Sequence, residues 1–405
     1  MKLDHVYYGW IIVCVSAGIM AVCSIPVHSF GLFLEPLIRD FGWGRGPLSL
    51  APSIAYVLAG CLGVVTGKLS DKHGARIFVS LGGILMGAGF VLMSRASTLR
   101  DTYVFWGLFM GLAIGCFISP IFSTIPRWFA QRRGMAVSIM AIGFGVGAIA
   151  SPLLVHTLIS AHGWQQACII LGVVVWAIVL PLAQFLKTSP AQMGCKLHGG
   201  SVDTESQAMG VSIQQLSLAE AVRGIPFWLY STIQLLWSFC IQAIVVHIVP
   251  HAIASGIMEI AAASILSVIA GFSVISRVVM VFVSDKSGAR QLLGLCLILS
   301  TMAFIWLIFA RGVLAFYVFA IFLGLSYGGV MPLMTLVPSE LFGTKSLGAI
   351  IGILMVYATI GGAGGSPFAG YVFDMTGSYR VALPILAAMS MIAALLGVGL
   401  WKYRG

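Results

Sequence analysis

Twelve stretches of about twenty mostly apolar residues follow one another along this chain, separated by short charged or Gly/Pro-containing breaks. At 1.5 Å per residue, a helix of that length crosses the roughly 30 Å hydrocarbon core of a bilayer. Inside hydrocarbon, backbone polar groups find partners only within a helix or a closed barrel. The runs lack the polar–apolar alternation of barrel strands. The chain is therefore read as an all-α membrane protein. The spans are expected near 9–36, 47–69, 77–94, 102–124, 134–159 and 164–186, then 226–250, 261–284, 291–310, 313–336, 346–373 and 380–401. Composition agrees: 60% of residues are apolar and 8% charged, against about a quarter charged in soluble domains.

A seven-residue knot occurs twice, as SDKHGAR at 70–76 between spans 2 and 3 and as SDKSGAR at 284–290 between spans 8 and 9. One residue in seven differs, and the places are equivalent, so the chain reads as two related halves. The expected domains are a six-helix bundle at 1–186, a linker at 187–225 containing Gly199-Gly200-Ser201, and a second six-helix bundle at 226–405. The N-terminal run lacks a small-residue cleavage site and is read as a first span, with no signal peptide removed.

Net charge is +10, and its distribution decides its meaning. With both termini cytoplasmic, fifteen of the twenty-two Lys and Arg fall on the cytoplasmic side and six, Arg45 among them, on the external side. That bias follows the positive-inside rule and supports this orientation; the expected location is the plasma (inner) membrane, as a multi-pass chain with its basic loops facing anionic lipid. It removes the nucleic-acid reading. The eight cysteines are scattered, without metal-type spacing, and read as small buried hydrophobes.

The remaining basic residue is Arg277, deep in span 8. A cation at that depth costs about 2.5–3.5 kcal/mol on insertion scales, so one that is kept usually faces a cavity or a ligand. All twelve Asp and Glu fall in loops or at span ends, which leaves no carboxylate at mid-membrane to neutralise it. A substrate carboxylate suits the guanidinium fork. The structural alternative is an arginine reaching toward headgroups or helix-end carbonyls, since Asp285 is about two helical turns away.

The twelve spans and the repeated knot resemble the major facilitator superfamily, whose loop pattern GxLaDrxGrr is matched by Gly67-Lys68-Leu69-Ser70-Asp71-Lys72-His73-Gly74-Ala75-Arg76. The resemblance covers essentially the whole chain. It implies two pseudo-symmetric bundles, with spans 1, 4, 7 and 10 lining a cavity, and a conformational latch made of Asp71, Arg76, Asp285, Arg290, Arg132 and Arg133. Two stretches are similar to the bacterial monocarboxylate porter branch. They are Asp4-His5-Val6-Tyr7-Tyr8-Gly9-Trp10, and Trp128-Phe129-Ala130-Gln131-Arg132-Arg133-Gly134-Met135-Ala136 with Gly143 and Gly147. Related oxalate/formate exchangers share much of the second. Arg277 stands where that branch has its carboxylate-binding arginine. Four residues earlier, where the branch usually has aspartate, this chain has Ser273. Local alignment of Pro26-Val27-His28-Ser29-Phe30-Gly31-Leu32-Phe33 puts His28 at the lysine of the animal members.

The candidate substrate-binding residues are Arg277, His247, Tyr327 and His28, with His28 and His247 as proton carriers. Histidine alone among these changes charge near neutral pH. Each also has a plainer reading: the histidines as interface residues near the outer surface, Tyr327 as a packing residue. One buried cation suits a single carboxylate, and span 11 has no Lys or Arg for a second. The expected function is secondary active transport of a small monocarboxylate such as lactate or pyruvate with a proton, by alternating access. The alternative is an organic-anion exchanger of the oxalate/formate type without net proton coupling. No acidic pair, metal spacing or nucleophile–base pair points to an enzyme. No cofactor, metal or obligate protein partner is expected.

Overall fold

The computed structural model describes residues 8–125, 128–129, 133–187, 216–343 and 346–402. They are nearly all helical. The first half holds α1 (Tyr8–Phe41), α2 (Arg45–His73), α3 (Ala75–Met93), the short α4 (Leu99–Thr102), a π-helical turn at Tyr103–Leu108, α5 (Phe109–Thr124) and α6 (Arg133–Gln184). The second half holds α7 (Leu218–Arg223), α8 (Ile225–Ala254), α9 (Glu259–Ser287), α10 (Ala289–Phe309), α11 (Gly312–Phe342), α12 (Leu347–Thr376) and α13 (Ala382–Lys402). Among the described residues eleven helices are long and apolar enough to cross a membrane. One of them, α6, leaves helical geometry at Gly163 (φ 80°, ψ 163°). It thus supplies the fifth and sixth spans.

The repeated knot has one job in both places. Its glycine, Gly74 or Gly288, stands between two helices with φ of 91° and 69°, a backbone setting that side chains rarely adopt. The helix before each knot therefore stops, and the next one starts in a new direction.

Contacts divide the chain into two units, residues 1–29 with 54–209 and residues 30–53 with 210–405. The division differs from the one drawn from the repeat. The hairpin made by the end of α1 and the start of α2 belongs with the second half, for reasons that appear at Arg45 below.

In the first unit, α1 and α6 approach closely. A Cβ on Gly143 would overlap the Ala17 backbone, and one on Gly147 the Ala21 backbone. Such contacts are what small residues provide between helices in lipid. The two branch-like motifs meet here: Tyr8 packs on Trp128 at 5.5 Å, and Trp10 lies edge-on to Phe129 at 5.0 Å. The Tyr8 hydroxyl donates to the Phe185 carbonyl, and the Trp128 indole to that of Lys187.

In the second unit α8 packs on α12, α9 on α11 and α10 on α13. Gly361 and Gly365 of α12 sit against the backbones of Leu235 and Phe239 on α8. On α9, Ile275, Val278 and Val279 are about half exposed while Ser273 and Ser276 are buried. Apolar side chains pointing out and hydroxyls pointing in is the arrangement expected of a helix with one face in hydrocarbon.

Candidate functional site

Arg277 is held by the α9–α11 contact. Gly324 fits over Ile269, and Gly328 over the Ser273 backbone. Ser276 donates to the Leu325 carbonyl at 2.6 Å. The pairings advance together along both helices, so α9 and α11 run parallel, and Arg277 lies one turn past the Ser273–Gly328 crossing. Helical side chains slant toward their own N-terminus, which brings the guanidinium back toward the level of Tyr327. Arg277 Nε is buried and has no hydrogen-bond partner among the described residues.

Tyr327, half-buried on α11, stacks on Trp237 of α8 with centroids 5.9 Å apart and planes 18° apart. The structure thus brings Tyr327 and Arg277 to neighbouring levels of the second unit.

His247 belongs to a different group. It is on α8, ten residues beyond Trp237, or about 15 Å along the axis. Its Nδ1 meets the Tyr379 hydroxyl at 2.9 Å, and its Nε2 meets the Ser366 carbonyl at 2.8 Å and Ser49 Oγ at 3.1 Å. A carbonyl only accepts, so Nε2 carries a proton and donates. Tyr379 accepts from Arg45 Nη1 at 2.8 Å and has its own proton for Nδ1. Burial raises the pKa of the Tyr379 hydroxyl, which keeps it a donor. His251 lies edge-on to Tyr379 at 5.2 Å, and both line a small cavity with His247, Ile244 and Leu386.

At the centre of this group is Arg45, read from sequence as an external-loop residue. It is instead the first residue of α2, 9% exposed. Its guanidinium pairs with Glu35 of α1 at 2.5 Å and lies 3.9 Å over the Phe373 ring. Asp374, at the far end of α12, accepts from the Arg45 and Gly46 amides at 2.8 Å each. A carboxylate on two otherwise orphan amides is a favourable helix cap. Ser53 and Ser366 meet at 3.0 Å one turn further in. These bonds are why residues 30–53 associate with α8 and α12.

His28 is in the first unit, buried, with Nδ1 on the Ser24 carbonyl at 3.1 Å and its ring edge-on to Phe144 at 5.6 Å. Of the expected latch, Arg76 is exposed. Arg290 pairs with Glu340 at 3.5 Å, and Glu340 also accepts from the Ala289 amide at 2.7 Å. The side chains of Asp71, Asp285, Arg132 and Arg133 lie outside the described residues.

Arg45, Glu35, Asp374, Tyr379 and Glu340 were invisible as partners in sequence because each is a charge or hydroxyl at a span end, where solvation is the ordinary state. Gln234 and Trp237 carried a weak signal, an amide and an indole three residues apart in an apolar run.

A model of the Major Facilitator Superfamily matches residues 9–282 and 254–404. Monocarboxylate transporter 13 of Rattus norvegicus is 27% identical over 383 residues, covering 94% of this chain and 86% of that protein. Monocarboxylate transporter 11 of Homo sapiens is 23% identical over 410 residues, covering 97% and 83%. The fold of the nucleoside transporter NupG superposes with a TM-score of 0.75 at 14% identity, covering 98% of this chain and all of that one.

Proposed function

This chain belongs to the Major Facilitator Superfamily and is a membrane transporter, and from that premise we propose that it carries small monocarboxylates of the lactate or pyruvate kind together with a proton, by alternating access. The observation that carries the reading is the buried Arg277 Nε with no acceptor among the described residues. A guanidinium in that setting lowers its energy by forking onto a carboxylate. The names of the relatives agree in substrate class.

In this reading the carboxylate docks on Arg277 beside Tyr327, and His247 or His28 takes the proton. Anion binding and protonation then favour one another by linkage, and the neutralised site reorients. The two charged knots act as latches, supported at the second by Arg290 and Glu340. The chain sits in the plasma (inner) membrane with both termini cytoplasmic.

The test is uptake of labelled pyruvate into proteoliposomes empty of internal acid, with and without an inward proton gradient. Stimulation by the gradient is expected. Uptake that requires a loaded internal anion and ignores the gradient assigns the protein to exchange. Arg277→Lys keeps the charge but loses the planar fork, and is expected to lower uptake at least tenfold with normal insertion. Near-normal uptake by that variant removes Arg277 from the site.

A further inference from the structure

Two more donors near the level of Arg277 have nothing to bond. Trp237 Nε1 and Gln234 Nε2 on α8 are buried polar atoms without a hydrogen-bond partner among the described residues, in side chains that are 4% and 2% exposed. They stand three residues apart, on one face of the helix. Buried N–H groups are nearly always satisfied, so each such exception calls for an explanation. Here there are three with Arg277 Nε, on two helices of the same unit.

Their levels can be read from the helix registers. Tyr230 of α8 bonds the Leu333 carbonyl of α11, and Trp237 stacks on Tyr327. As α8 advances, α11 recedes, so Gln234 faces the level of about residue 330. On the other side of α11, Ser273 meets Gly328, and the Arg277 side chain slants back toward that crossing. All three donors therefore fall within about a turn of the Tyr327 level.

A carboxylate on the Arg277 fork uses both of its oxygens. Indole is a donor only, so what remains beside Trp237 is a place for one more acceptor on the same small molecule. We propose that Trp237 and Gln234 form a donor pair that reads an oxygen on C2 of the substrate, so that the protein selects 2-oxo and 2-hydroxy acids over plain alkanoic acids of the same size. The inference rests on the monocarboxylate reading of Arg277. Ring stacking by itself explains the Trp237 side chain but leaves its N–H without a partner.

The experiment compares pyruvate with propionate, which lacks the C2 oxygen, by competition against labelled pyruvate on the purified full chain in nanodiscs. The unmodified protein is expected to favour pyruvate at least tenfold, the scale of a polar site left unpaired by the poorer ligand. Trp237→Phe keeps a stacking ring and deletes the donor, and Gln234→Leu deletes the amide. Each is expected to weaken pyruvate about tenfold more than propionate. A structural role for either residue would move both acids equally, and that result overturns the proposal. So does equal affinity of the unmodified protein for the two acids, whether or not the variants fold. Arg277→Lys separates the two readings. If it abolishes binding of both acids while the pyruvate preference survives Trp237→Phe and Gln234→Leu, the donor pair is wrong and the monocarboxylate site stands. If Arg277→Lys leaves both affinities near normal, the monocarboxylate site itself falls.

Discussion

His247 and His28 are the only two histidines the sequence placed in the transport chemistry, and their surroundings differ in kind. His28 bonds its own helix, through the Ser24 carbonyl one turn back. His247 bonds three other segments through Ser49, Ser366 and Tyr379, and Tyr379 carries the link on to Arg45, which pairs with Glu35. A proton change at His247 is thereby coupled to groups on α1, α2 and α12. The expected outcome is that His247→Gln flattens the dependence of uptake on external pH. The pH profile of initial pyruvate uptake checks this, with His28→Gln measured alongside; an unchanged profile in His247→Gln and a flattened one in His28→Gln would transfer the proton to His28. The sequence singled out both histidines from their charge chemistry alone. It could not show that His247 stands about 15 Å along its helix from the Arg277 level, because that separation depends on which neighbours α11 and α12 present.

Among the helices, close approach is the device that recurs. Gly328 of α11 lies on the Ser273 backbone, with no flexible side chain to give way, while Gly271, in the same contact region of α9, has nothing within 4 Å of the place a Cβ would occupy. Two substitutions of the same type should then have opposite effects. Gly328→Ala forces α9 and α11 apart and is expected to destabilise by about 1–3 kcal/mol, moving the Arg277 shelf with it. Gly271→Ala is expected to be neutral or stabilising by up to about 1 kcal/mol through helix propensity. Thermal unfolding of the two purified variants, with uptake measured alongside, checks the pair. Equal behaviour would mean that helix spacing is not set at Gly328. The helices themselves were legible: runs of apolar residues located each of them, although α1 runs on to Phe41 and α11 to Phe342, past the expected ends at 36 and 336, and Gly163 separates the fifth from the sixth where one 52-residue helix would overrun a bilayer. The roles of single glycines were not legible, since a glycine at a crossing and a glycine in open space look alike in sequence.

For the molecule as a whole, the repeated knot divides the chain into two halves, yet residues 30–53 associate with the second. The tie is the Arg45 group, and its strength is testable. Glu35→Ala leaves a mostly buried guanidinium without its carboxylate, a change that costs about 3–5 kcal/mol where both partners are fully buried and is expected to cost about 1–3 kcal/mol here, because the Glu35 side chain is 35% exposed. The melting temperature should fall, with smaller loss for Glu35→Gln, which keeps an acceptor; unchanged melting of both would show that the Glu35–Arg45 pair, which holds the guanidinium against Tyr379 and Phe373, carries no stability. What the amino-acid order determined alone was the class of fold and the run of membrane-crossing helices, because those follow from lengths of apolar sequence, which are local and additive. It also offered Arg277 as the candidate anion site, since an isolated cation in an apolar run is costly wherever that run packs. The tertiary structure alone decided that Arg45 is an interior residue, that His247 belongs with it, and that Trp237 and Gln234 share the level of Arg277. Hydrogen bonds and ion pairs act over about 3 Å, and which groups come within that reach is set by helix register across residues far apart in the chain.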